Sequence, residues 1–103
     1  MRIVLVCNAG MSTSVLVQKM QKAAQAKQIE ADIAAYSVEV LEDLLSKEKI
    51  DVVLIGPQIR HMKPNIEAAV KDRCPVALID MRNYGTINGE AVLQQAIDLI
   101  EKK

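Results

Sequence analysis

The run Cys7-Asn8-Ala9-Gly10-Met11-Ser12-Thr13-Ser14 gathers the residue types that handle a bound phosphate. Cys7 supplies a thiol, whose ionised form is a nucleophile for phosphoryl transfer. Gly10 lets successive backbone N–H groups turn inward as an anion-binding nest. Ser12, Thr13 and Ser14 add hydroxyl donors, and one of them can cap a helix that follows. Such a helix aims its unpaired N–H groups and positive dipole end at the same point. Thiolates are stabilised in that setting. A plainer reading competes: Cys7 is a small buried residue ending a strand, and Ser12 or Thr13 is an ordinary helix cap. Where the surrounding elements put the segment decides between the two.

Ile3 to Cys7 is a continuous apolar run, the pattern of a strand buried on both faces of a parallel sheet. Thr13 to Gln28 has helical spacing, with Leu16, Met20 and Ala23/Ala24 on one side. Ile29 to Tyr36 alternates with period two, as an exposed edge strand does. Val38 to Lys49 returns to helical spacing through Val40/Leu41, Leu44 and Leu45. Asp51 to Ile55 is a second buried run, broken by Gly56-Pro57. Gln58 to Asp72 reads as helix, with Pro64 either opening its first regular turn or kinking it. Val76 to Ile79 is a short strand after Pro75, and Asp80 to Gly89 a polar, glycine-bearing loop. Ala91 to Glu101 closes the chain as a helix with Val92/Leu93, Ala96/Ile97 and Ile100 inward.

Strands alternating with helices predict an α/β fold, a four-stranded parallel sheet in the order 2-1-3-4. Right-handed crossovers then place helices on both faces. The order reverses between strands 1 and 3, and ligands in such sheets bind beyond the strand C-termini at that reversal. Cys7 falls there, which favours the functional reading. With no internal repeat, linker or low-complexity segment, residues 1–103 read as one domain.

Composition narrows the function further. Lys plus Arg is 13 and Asp plus Glu is 13, so the formal net charge is zero. A general nucleic-acid binder needs a basic excess to neutralise phosphates, and an electrostatic membrane binder needs one too. Tyr36 and Tyr84 are the only aromatic residues, which disfavours base-stacking platforms. Cys7 and Cys74 form no Cys-x-x-Cys pair, and His61 does not complete a zinc site with them at usual spacings. The first apolar run is too short for a signal sequence or a membrane span, so a reducing cytoplasm with free thiols is expected. In this topology Cys7 lies at the C-terminal end of the sheet and Cys74 at the N-terminal end, ~15 Å apart at ~3.3 Å per residue. A disulfide needs Cα atoms within ~7 Å, so Cys74 is expected to be a packing residue.

The segment Val6 to Ser14 resembles the signature of the IIB component of the sugar phosphotransferase system, lactose/cellobiose (chitobiose) type. Leu54-Ile55-Gly56-Pro57-Gln58-Ile59-Arg60 with Met62 resembles that family's second motif. Ile79-Asp80, Tyr84-Gly85 and Asn88-Gly89 resemble its third. The resemblance spans essentially the whole chain. It implies that a phosphohistidine on a IIA partner gives its phosphoryl group to Cys7. The resulting phosphocysteine then passes the group to a sugar, of the cellobiose, chitobiose or lactose class, presented by a membrane IIC transporter. Asn8, Ala9, Gly10, Met11, Ser12, Thr13 and Ser14 are then the phosphate loop. No metal or organic cofactor is implied, and the protein itself would stay cytoplasmic, meeting the membrane only through IIC.

The loop is also similar to that of low-molecular-weight protein tyrosine phosphatases, which use Cys-x5-Arg-Ser. Thr13 stands where that arginine would be. An arginine clamps the equatorial oxygens of the transition state, and losing one well-placed donor costs ~10²–10³ in rate. A carrier must avoid hydrolysis, so Thr13 favours carrier over hydrolase, the alternative reading. A receiver-like module needs clustered acidic residues after strand 1, where this chain has Asn8-Ala9-Gly10. A thiol redox protein needs the absent Cys-x-x-Cys.

Three further residues are candidate supports of the site. Gln58, at the end of strand 3, could reach the phosphate loop with its amide or simply start a helix. Tyr84 could cover the loop, touch a partner or only pack. Asp80 could act as an acid/base group, but a turn role is preferred, with a base from IIC as the alternative. His61, flanked by Arg60 and Lys63, reads as a surface residue, and those two cations as solvated or facing an acidic partner. Met11 has no core periodicity; it is either a flexible apolar contact for partners or folds back on its helix.

Overall fold

The computed structural model describes residues 1–7, 11–71 and 73–102, and their side chains except at 11, 12 and 102. Strand β1 (Arg2–Cys7) is followed by α1 (Met11–Ala26) and β2 (Asp32–Ser37). A 3₁₀ turn, Val38–Val40, leads into α2 (Leu41–Lys47) and β3 (Val52–Ile55). A 3₁₀ segment, Pro57–Met62, precedes α3 (Lys63–Val70), and β4 (Val76–Leu78) follows. The short α4 (Met81–Gly85) and the long α5 (Gly89–Lys102) complete the chain.

The four strands form one sheet in the order β2-β1-β3-β4, with every pair parallel. The order expected from the sequence is therefore the observed one. Alternation along the strands sorts the core into two layers. Ile3, Leu5, Val52 and Leu54 pack with Leu16 and Met20 of α1 and Val92, Leu93 and Ala96 of α5. Val4, Val6, Val53 and Ile55 pack on the other face with Leu41 and Leu45 of α2 and Ile66 and Val70 of α3. β1 and β3 are buried on both faces because they are central; β2, at the edge, is buried fully only at Ile33. Glutamines tie the edge strands to the helices above them: Gln21 Nε2 donates to the Ile33 carbonyl (3.0 Å) and Gln95 Nε2 to the Leu78 carbonyl (2.7 Å).

Three local readings change. Pro64 lies in the first turn of α3, where its missing N–H costs nothing; the stretch before it is 3₁₀, with Ile59 off helical geometry (φ −118°, ψ 29°). The Asp80–Gly89 segment is not all loop. Asp80 caps α4, its Oδ1 accepting from the N–H groups of Arg82 (2.9 Å) and Asn83 (3.1 Å). Gly89, read as part of that loop, begins α5. A Cβ there would stand 2.5 Å from the Lys19 carbonyl carbon and 2.6 Å from the Met20 nitrogen. Gly89 thus permits α5 to rest against the backbone of α1.

Cys74 is buried among Val70, Ile66 and Leu45, and among the described residues neither cysteine forms a disulfide. Among the described residues no group of His, Cys, Asp and Glu could hold a metal, and no helix is long and apolar enough to cross a membrane.

Candidate functional site

Cys7 is the last residue of β1, paired in register with Ser37 of β2, and is 4% exposed. It continues the register of Ile3 and Leu5, which places its side chain on the α1 face of the sheet. α1 begins four residues later, so its free N–H groups lie at the same end of the sheet. Asn8, Ala9 and Gly10 of the expected phosphate loop lie outside the described residues, as do the side chains of Met11 and Ser12. Ser14 is exposed on the first turns of α1.

Beside Cys7 the chain of β3 ends in Gly56, whose N–H donates to the Val6 carbonyl (2.9 Å). A Cβ on Gly56 would lie 3.8 Å from Cys7 Cβ and 3.2 Å from Gln58 Oε1. The missing side chain leaves that room to the cysteine and to the Gln58 amide. The sequence marks Gly56 as a strand breaker and as part of the second motif; its closeness to Cys7 comes from the β1–β3 pairing.

Three candidate residues meet at one atom. Gln58 Nε2 donates to the Tyr84 hydroxyl (3.1 Å), and that hydroxyl shares a hydrogen bond with Thr13 Oγ1 (3.1 Å). Thr13 is 1% exposed, the only fully buried polar residue among those described. Residues from the starts of α1 and of the 3₁₀ segment after β3 are thereby joined through α4. Asp80 does not join them: its Oδ1 is held by the cap of α4, the turn role preferred from the sequence. His61 and Arg60 are exposed, in line with a surface position, and Lys63 is half-buried within 3.8 Å of Glu67. Met81, for which no sequence pattern provided a signal, is 60% exposed at the start of α4. Val15 on α1 and Val40 after β2 are the other large apolar side chains exposed on segments leaving strand C-termini.

This fold is shared with a class of solved domains. It superposes on the solution structure of a cellobiose-specific phosphotransferase IIB component protein from Borrelia burgdorferi with a TM-score of 0.82, at 44% identity, covering 100% of this chain and 94% of that one. A galactose-specific EIIB component of Lactococcus lactis is 40% identical over 102 residues, 95% of this chain and 94% of its own length. An oligo-beta-mannoside-specific EIIB component of Bacillus subtilis is 38% identical over 100 residues, 96% and 95% of the two chains. The sequence profile for the lactose/cellobiose-specific IIB subunit of the phosphotransferase system matches residues 2–95. The chain belongs to that family of sugar phosphotransferase subunits, as its three motifs led us to expect.

Proposed function

We propose that the chain, acting as one unit over residues 1–103, carries a phosphoryl group on Cys7 between a IIA protein and a sugar held by a IIC transporter. In the first step the Cys7 thiolate attacks phosphorus on a IIA phosphohistidine. An S–P bond forms, the N–P bond breaks, and the imidazole nitrogen leaves with that electron pair. In the second, a sugar hydroxyl oxygen attacks the same phosphorus and the thiolate leaves. The hydroxyl proton passes to a base on the transporter side, since the Asp80 carboxylate is engaged as a helix cap.

One observation carries this reading: Cys7 ends the central strand at the reversal of strand order, four residues before α1, with Gly56 opening room beside it. The residues expected to cradle the phosphoryl group are 8–14, through backbone N–H groups and the hydroxyls of Ser12, Thr13 and Ser14. Threonine at position 13, in place of a phosphatase arginine, suits a group that must be handed on and not lost to water. The exposed Val15 and Met81, on α1 and α4, offer apolar contacts for IIA around Cys7. The protein works in the cytoplasm, and the sugar is of the β-linked class that includes cellobiose, chitobiose and lactose.

Incubation with phosphorylated IIA, followed by intact mass, tests the proposal. The parent chain and Cys74→Ser should each gain one phosphoryl group with the acid and base lability of a thiophosphate, and Cys7→Ser should gain none. An adduct on Cys7→Ser would overturn it.

A further inference from the structure

We propose that Tyr84 is a positioning residue for phosphoryl transfer: its hydroxyl locks Thr13 Oγ1 and the Gln58 amide into one arrangement around Cys7. The inference rests on Cys7 being the phosphoryl acceptor. A phenol oxygen can accept and donate at once. Here it accepts from Gln58 Nε2 and shares one hydrogen with Thr13 Oγ1, both at 3.1 Å. Thr13 is shut away from water, so Tyr84 takes part in setting its rotamer and the direction of its hydroxyl hydrogen. Gln58 Oε1 in turn lies 3.2 Å from the point a Gly56 Cβ would occupy, and that point is 3.8 Å from Cys7 Cβ. One oxygen therefore joins the two sides of the cysteine's surroundings.

The backbone beneath Tyr84 is held at both ends. Asp80 caps the start of α4. At its other end Ile87 adopts φ 53°, a conformation costly for a β-branched residue. The Ile87 N–H donates to the Tyr84 carbonyl (3.1 Å) while its side chain packs on the α1/α5 core. A tyrosine on so constrained a turn can hold its partners in place, whereas one on a loose loop would follow them. Fixed donors around a transferring phosphoryl group accelerate reaction because no reorganisation is needed when charge develops.

The test compares Tyr84→Phe, Thr13→Val, their double variant and Thr13→Ser in the full chain. The readouts are the rate of phosphoryl capture from phosphorylated IIA and the phosphorus NMR shift of the adduct. Tyr84→Phe should slow capture about ten- to a hundred-fold and move the phosphorus resonance, with a melting temperature lowered by no more than about 4 °C. Thr13→Val should lose a similar factor, the double variant no more than the worse single, and Thr13→Ser should recover most of the rate. Capture by Tyr84→Phe at the parent rate with an unmoved resonance would overturn the proposal. So would single losses that multiply in the double variant. Tyr84→Phe, which keeps the ring and its packing, decides the matter even if Thr13→Val does not fold. Cys7→Ser run alongside separates the two claims. If it is inert while Tyr84→Phe behaves as the parent, only the positioning role falls; if it still captures phosphoryl, the assignment of Cys7 falls.

Discussion

Where the strands begin, Arg2 is clasped by full charges; where they end, Thr13, Gln58 and Tyr84 meet without one. Arg2 reaches Asp32 (2.8 Å) and Glu48 (3.1 Å), donates to the Tyr36 hydroxyl (2.8 Å), and its own N–H donates to Asp51 (2.6 Å). Its side chain is 14% exposed, and its Nε is buried without a hydrogen-bond partner among the described residues. Burial works to lower the Arg2 pKa, but the Tyr36 hydrogen bond and the carboxylates of Asp32 and Glu48 outweigh it, so the net direction is upward. Each cluster thus uses one of the chain's two tyrosines as a bridge, with Tyr36 paired to Val6 far along β2 and only its hydroxyl meeting the Arg2 guanidinium. At the first end the bridge ties a cation between the edge strand and the segment after α2. At the second it ties a hydroxyl to an amide.

The difference has a physical logic. A resident cation beside Cys7 would hold a phosphoryl dianion firmly and favour attack by water. In the proposed relay, neutral donors hold the group well enough to capture it and loosely enough to surrender it, and charge is left to the end where only the fold depends on it.

Four substitutions sharpen this contrast. Gly89→Ala drives a methyl into the α1 backbone and should destabilise by about 2–3 kcal/mol, measured by denaturant melts. A loss under half that would mean the helices separate easily. Arg2→Met should cost about 1–2 kcal/mol, because its partners are largely exposed and surface pairs contribute little, and should leave phosphoryl capture at the parent rate. The Arg2 contribution should also be constant across the neutral range. Its folded pKa is raised above the unfolded one, so the stabilisation is complete below the unfolded value and fades only as strongly alkaline pH passes the folded value. Asp80→Ala should remove about 1 kcal/mol of capping and keep sugar phosphorylation within a few-fold. A loss of ~10²–10⁴ would instead make it the acid/base group. Tyr36→Phe should cost ~0.5–1.5 kcal/mol and leave capture unchanged, the opposite profile to Tyr84→Phe.

The sheet was legible because β1 and β3 are unbroken apolar runs and β2 alternates, so the sequence records how many faces each strand buries. Cys7 stood out as a candidate because strand order and helix start converge on it, and the structure keeps both there. α4 was not: its five residues carry no apolar repeat, and only Asp80, ambiguous between turn and cap, marks its start. That Gln58 and Tyr84 could reach the loop was among the sequence alternatives; that they meet Thr13 at one hydroxyl was not, since residues 71 and 26 positions apart join only through the pairing of strands. Gly89 read as a loop residue because close approach of α5 to α1 leaves no trace in local pattern.

The central claim is tested most directly by mapping the phosphoryl group. The full chain, phosphorylated by IIA and digested under conditions that preserve the S–P bond, should carry the group on Cys7 alone. Finding it on His61, or on a hydroxyl of the following loop, would contradict the account.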